Sequence, residues 1–234
     1  MKNIVFDAGP VITLTLNELL WLLDELKGRY NGFFYIPPSV KEELINKPLR
    51  TKKYAFEAIR VMDKINEGTL TVISEKRIID LATKLSDLAN NSFSMHDRNL
   101  TIVQRGEMES VAAAILLKSD AVVIDERTTR MLVEEPKMLL KILIKKFHKK
   151  IRVNKNTLSK FSQEVRGLKI IRSAELVTIA FDLGLLDEYI TARGKIDPQM
   201  KKTLLESALW AVKLTGCAIS RKNIDEIVRI ETKK

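Results

Sequence analysis

Cysteine and histidine are nearly absent: the 234 residues contain one cysteine, Cys217, and two histidines, His96 and His148. A lone cysteine excludes an internal disulfide, and so few soft ligands leave no zinc cage of nitrogen and sulfur donors. A metal in this chain has to be held by oxygen. The sequence also has no apolar run near the roughly 18 residues that a membrane span needs, and its N-terminus lacks the charged, apolar and small-residue layout of a signal peptide. A cytoplasmic protein with no membrane partner is expected. Internal repeats and low-complexity segments are missing too.

What is present is charge and hydrophobicity in globular proportion, 30% and 45% of residues. The length allows one large domain or one domain with an appendage. The 40 basic residues against 30 acidic ones give a net charge of +10, a balance that favours a polyanionic partner such as nucleic acid or an anionic membrane surface.

Short strand-forming runs alternate with helical periodicity. Strands are expected at residues 3–7, 33–36, 69–73, 121–125 and 168–171. Helices are expected over residues 11–26, 38–44, 52–66, 76–89, 106–117 and 128–134, with a loop at 90–94 and a short helix at 97–104. Near the C-terminus, Ser173 reads as an N-cap, Asp197-Pro198 as a cap and first turn leading to Leu214, and Ser220 as a last cap. Such alternation predicts an α/β fold, a parallel sheet of about five strands flanked by helices. Pro136 marks a change in composition. From Lys137 to Lys155 the segment has Lys145, Lys146, Lys149, Lys150 and Arg152 among its cations and no acid, and its apolar residues recur at helical spacing. It reads as a basic amphipathic helix, either a solvated face or a phosphate-contacting surface.

In open parallel sheets ligands bind beyond the carboxyl ends of the strands. Asp7 and Asp125 each end an expected strand. Glu107 opens the helix before the Asp125 strand, and Glu43 lies on the helix after the second strand. Four acids from distant positions can therefore converge, and such a set suits Mg²⁺ or Mn²⁺, hard cations that prefer oxygen. For Asp125 alone, capping of the next helix is an equally good reading. Arg127 and Arg130 can bind phosphate, or pair with Glu126 and Glu134 at helical spacing. His96 reads as a surface residue, Cys217 as a small buried one, and Trp21 and Trp210 as core or interface.

Taken together, Ile4-Val5-Phe6-Asp7-Ala8-Gly9-Pro10, Pro38-Ser39-Val40-Lys41-Glu42-Glu43-Leu44, Gly106-Glu107-Met108-Glu109 and Val122-Val123-Ile124-Asp125-Glu126-Arg127 resemble the PIN-domain ribonucleases. The closest likeness is to prokaryotic toxin relatives in which the third acid follows a glycine. Gly167-Leu168-Lys169-Ile170-Ile171, followed by Leu183-Gly184-Leu185-Leu186, resembles that group's closing strand and helix. The resemblance implies a Mg²⁺- or Mn²⁺-dependent endoribonuclease acting on RNA, often a homodimer and often the toxin partner of an antitoxin. Carried over by position, Asp7, Glu43, Glu107 and Asp125 are the catalytic acids. Asp7, Glu107 and Asp125 are the metal ligands, with Glu126 as auxiliary. Glu42 competes with Glu43, and Glu109 with Glu107; the spacings of Glu43 and Glu107 match the family better. Asp97 stands too far from Asp125 for one helix plus one strand. On this reading residues 1–135 form the PIN core, 136–166 a basic helical insertion and 167–234 the closing strand with a helical C-terminal extension. Arg127, Lys145, Lys146, Lys149, Lys150 and Arg152 are the candidate nucleic-acid contacts. The rival readings are a noncatalytic PIN-fold RNA-binding or scaffold protein and, more weakly, a phosphoacceptor-like α/β domain using Asp7.

Overall fold

The computed structural model describes residues 2–192, 195–196 and 198–233. The chain opens on strand β1 (Asn3–Phe6), helix α1 (Ala8–Leu16) and helix α2 (Leu22–Tyr30), then runs into β2 (Phe33–Ile36) and α3 (Pro38–Lys41). A π-helical turn, Glu42–Asn46, joins α3 to α4 (Lys47–Thr51), and α5 (Ala55–Asn66), β3 (Thr71–Val72) and α6 (Lys76–Asn90) follow. After β4 (Phe93–Met95) and β5 (Arg98–Asn99) come α7 (Arg105–Leu116), β6 (Ala121–Val123), α8 (Arg127–Glu134) and α9 (Pro136–Phe147). The remainder includes β7 (Arg152–Val153), α10 (Lys155–Glu164), β8 (Ile170–Ile171), α11 (Ser173–Asp182), α12 (Pro198–Leu214) and α13 (Arg221–Glu231).

Five strands make the expected parallel sheet, in the order β3-β2-β1-β6-β8. β1 lies in the centre, and the order reverses beside it, between β2 and β6. That is the switch point at which sheets of this kind open a crevice. The two-residue period of strands divides the core cleanly. Val5, Val122 and Ile124 pack with α6 and α7 on one face, whereas Phe6, Phe34 and Val123 pack with α1, α2 and α11 on the other.

Three expected segments differ. The helix over 11–26 is two helices, broken where Glu18 takes a left-handed φ of 58°, a break with neither glycine nor proline to announce it. The loop and short helix over 90–104 are instead the hairpin β4–β5, whose turn residues His96 and Asp97 both have positive φ, as two-residue hairpin turns require. The basic segment is helical only to Phe147; β7 then pairs with β4, and Arg152 forms an ion pair with Asp97. Within residues 136–166, Leu139, Leu143, Phe161 and Val165 lie in the same core cluster as Val5 and Met108. The expected cap Asp197 lies outside the described residues, whereas Ser220 does cap α13 through the Asn223 amide.

Candidate active site

Asp7 leaves the C-terminal end of the central strand and is 8% exposed. Its Oδ1 accepts a hydrogen bond from Ser110 Oγ at 3.1 Å. Burial pushes its carboxyl up from the usual range to about 7, against the Ser110 and Ala8 hydrogen bonds, and the charges of Glu107 and Glu43 add to the rise. Ser110 sits one helical turn beyond Glu107 on α7 and shares its face. That spacing is the signal by which sequence alone could have singled it out.

Glu107 occupies the first turn of α7. Its Oε2 accepts from the Gln104 amide at 3.1 Å and from Thr129 Oγ1 at 3.2 Å, so one carboxylate joins the start of α7 to α8. Burial raises its pKa, and Glu126 and Glu43 contribute repulsion. The loop before it is pinned by Asn90, whose Oδ1 accepts from the amides of Ile102 and Val103 at 2.8 and 3.1 Å.

Of the paired acids after β2, Glu42 accepts from Asn46 and Arg50, and Glu43 is the one whose charge reaches Asp7 and Glu107. Both sit in the π-helical turn, a feature frequent at functional sites. Glu109 is directed elsewhere. Its Oε2 accepts from the Ser39 amide at 3.3 Å, and so it holds the first turn of the helix that leads to Glu43.

Asp125 comes to the same edge: a Cβ added at Gly9 would lie 3.5 Å from Asp125 Cβ and 3.9 Å from Asp7 Oδ2. Its carboxylate is nevertheless engaged. Oδ1 accepts from the Ser173 amide at 2.8 Å, and the Ser173 hydroxyl lies 3.0 and 2.8 Å from the two oxygens. Ser173 is therefore the first residue of α11 and not its cap, and Asp125 ties the end of β6 to that helix. Capping of α8 falls to Glu126, which accepts from the Thr129 amide. Cys217 is buried beside this pair, and burial with the Asp125 charge pushes its thiol up to about 12, which leaves it an inert thiol at neutral pH.

At the edge where β1 and β6 end, Glu43 and Glu107 thus act electrostatically on Asp7, and Glu43 and Glu126 on Glu107. Among the described residues, no three acids, cysteines or histidines are grouped so as to hold one metal ion. Carboxylate oxygens are nonetheless the donors a hard cation prefers, and Mg²⁺ is commonly held by one or two carboxylates with water completing its shell. Two raised carboxyl pKa values and mutual repulsion mark a place where a cation would relieve stored cost.

The basic candidates divide. Lys145, Lys146, Lys149 and Lys150 are exposed on and after α9, and Arg152 forms an exposed ion pair with Asp97. Arg130 pairs with Glu134 at 3.3 Å. Arg127 is exposed, one residue beyond Glu126.

A family model described as a PIN domain matches residues 3–140. No curated protein and no solved structure gives a significant match.

Proposed function

We propose that this chain, which belongs to the PIN-domain family, is a divalent-metal-dependent endoribonuclease hydrolysing RNA phosphodiester bonds at the Asp7 edge of the sheet. The observation that carries the reading is Asp7 itself, a buried carboxyl raised to about 7 with two further acids bearing on it. Strongly perturbed groups of this kind gather at functional sites.

Asp7 and Glu107 are the residues to hold Mg²⁺ or Mn²⁺, with Glu43 and Glu126 as support through water. When bound, such an ion makes a water more acidic and offsets the charge that grows on the phosphodiester. Ser110 fixes the orientation of Asp7, and Thr129 with the Gln104 amide fixes that of Glu107. Near neutrality Asp7 can release or retain a proton. Asp125 is the third ligand in this proposal, its carboxylate oriented by Ser173 as that of Asp7 is by Ser110. RNA is the proposed polyanion, with Arg127 and the α9 lysines as its contacts. A toxin-type role, with a homodimer and an antitoxin partner, extends the proposal on the resemblance alone.

The test is cleavage of single-stranded RNA with Mn²⁺ or Mg²⁺ by wild type, Asp7→Asn and Glu107→Gln. Loss of cleavage in both variants is expected; equal cleavage by all three would point to a contaminant. The capping roles of Glu107 and Glu126, which accept from the Gln104 and Thr129 amides, favour a second reading, a noncatalytic RNA-binding PIN protein. That reading predicts RNA binding indifferent to Asp7→Asn and no thermal stabilisation by millimolar Mn²⁺, because a ligand of the native state alone must raise stability.

A further inference from the structure

We propose that the cavity between α1, α4 and α5 is a nucleobase subsite for the nucleotide adjoining the scissile phosphate. The inference rests on the ribonuclease reading for its substrate class. The cavity has a volume of about 350 Å³, within the span of clefts that take small molecules. Ile12, Leu44, Ala58 and Val61 form apolar walls, and Glu43 lines the same space. Glu43, whose charge acts on Asp7 and Glu107, is thus the residue that the cavity shares with the candidate site. On this proposal the nucleotide beside the phosphate that meets the acids enters this opening.

The mouth is built for such a guest. Tyr54 is 54% exposed, and Lys53 Nζ lies 5.2 Å from its ring centroid. Lys47 and Lys53 both line the cavity. An aromatic face beside cations is the pairing that holds single-stranded nucleic acid, by stacking on the base and attraction of the backbone. Lys52 and Tyr54 both have left-handed φ values, 64° and 60°. At Lys52 this ends α4 and at Tyr54 it precedes α5, so the two residues turn the chain at the mouth of the cavity.

Glu57 gives the subsite a preference. It lines the cavity, and an ionised carboxylate only accepts hydrogen bonds. It therefore favours cytosine, whose exocyclic amine projects a donor clear of the ring acceptors, over uracil, whose one donor on that edge, N3–H, lies between two carbonyl oxygens that repel a carboxylate.

An NMR titration of the full-length protein without divalent ions tests this with 5′-CMP, 5′-UMP and ribose 5-phosphate as probes. Saturable shifts at the amides of residues 51–58 are expected, with CMP binding more tightly than UMP and ribose 5-phosphate weakest. Tyr54→Ala should weaken CMP about tenfold, Tyr54→Phe should retain it, and Glu57→Gln should level CMP with UMP. Equal binding of ribose 5-phosphate and CMP would overturn the proposal, as would shifts confined to α9. No shift with any probe would also overturn it. Failure of RNA cleavage with CMP still bound at residues 51–58 would count against the ribonuclease reading and leave the subsite standing.

Discussion

Asp7 ionises at an ordinary value of 3.8 in an unfolded chain and at about 7 in the fold. Between these values the folded state holds a proton that the unfolded state has lost. The stability linked to this group is therefore fully present below 3.8 and is lost as pH rises through 7, the reverse of a salt-bridged aspartate. At about 1.4 kcal/mol per pH unit, the cost at pH 8 is on the order of 4 kcal/mol. Asp7→Asn, followed by chemical denaturation without divalent ions, should therefore stabilise the protein at pH 8 and scarcely change it at pH 4. Ser110→Ala removes a hydrogen bond that favours the ionised form. The Asp7 titration, read from its carboxyl carbon by NMR, should move to higher pH. The gathering of Asp7, Glu43 and Glu107 was legible in the sequence, because strand ends and helix starts of a parallel sheet share one edge. The separation of Glu43 from Glu42 was legible too, since adjacent helical residues diverge. The partner of Asp125 was not. Ser173 lies 48 positions away, and only the pairing of β6 with β8 brings the two together.

At the scale of elements, α11 is anchored through Asp125, and Ser173→Ala would leave a buried carboxylate without its hydroxyl partner. A loss of about 2–3 kcal/mol is expected, the range for a buried charged group deprived of a hydrogen bond, measurable as a lowered denaturation midpoint. The loop that delivers Glu107 depends on Asn90, which also donates to the Val103 carbonyl at 3.1 Å. Asn90→Ala should lower RNA cleavage as well as stability, because it frees the segment that sets Glu107. The β4–β5 hairpin was hidden in the sequence. Its turn is His96-Asp97 rather than the Asn-Gly or Asp-Gly pair that announces such turns, and its third strand, β7, arrives from Arg152. The break between α1 and α2 lacks the usual punctuation as well. Helices with a clear apolar stripe, such as α6, were legible from periodicity alone.

Across the whole molecule, the +10 charge has a preferred outlet in the exposed lysines of α9 and the turn after it. These residues belong to the body of the protein: Leu139 and Phe161 are buried in the core that also encloses Val5. Replacing Lys145, Lys146, Lys149 and Lys150 by glutamine should leave the fold intact. It should flatten the salt dependence of single-stranded RNA binding by up to about three units of log–log slope, at ~0.7 per phosphate contact. The order of the sheet follows from the alternation of strands and helices, whereas the seating of the basic segment does not, because its apolar face names no partner. The central claim is that the Asp7 edge is a divalent-ion site. Calorimetric titration of Mn²⁺ at pH 7 in two buffers of different ionisation enthalpy tests it most directly, since a ligand carboxyl near its pKa must shed its proton as the ion binds. Wild type should bind Mn²⁺ with release of about half a proton, and Asp7→Asn should lose both the binding and the release. Mn²⁺ binding that is absent in wild type, or unchanged in Asp7→Asn, would contradict the account.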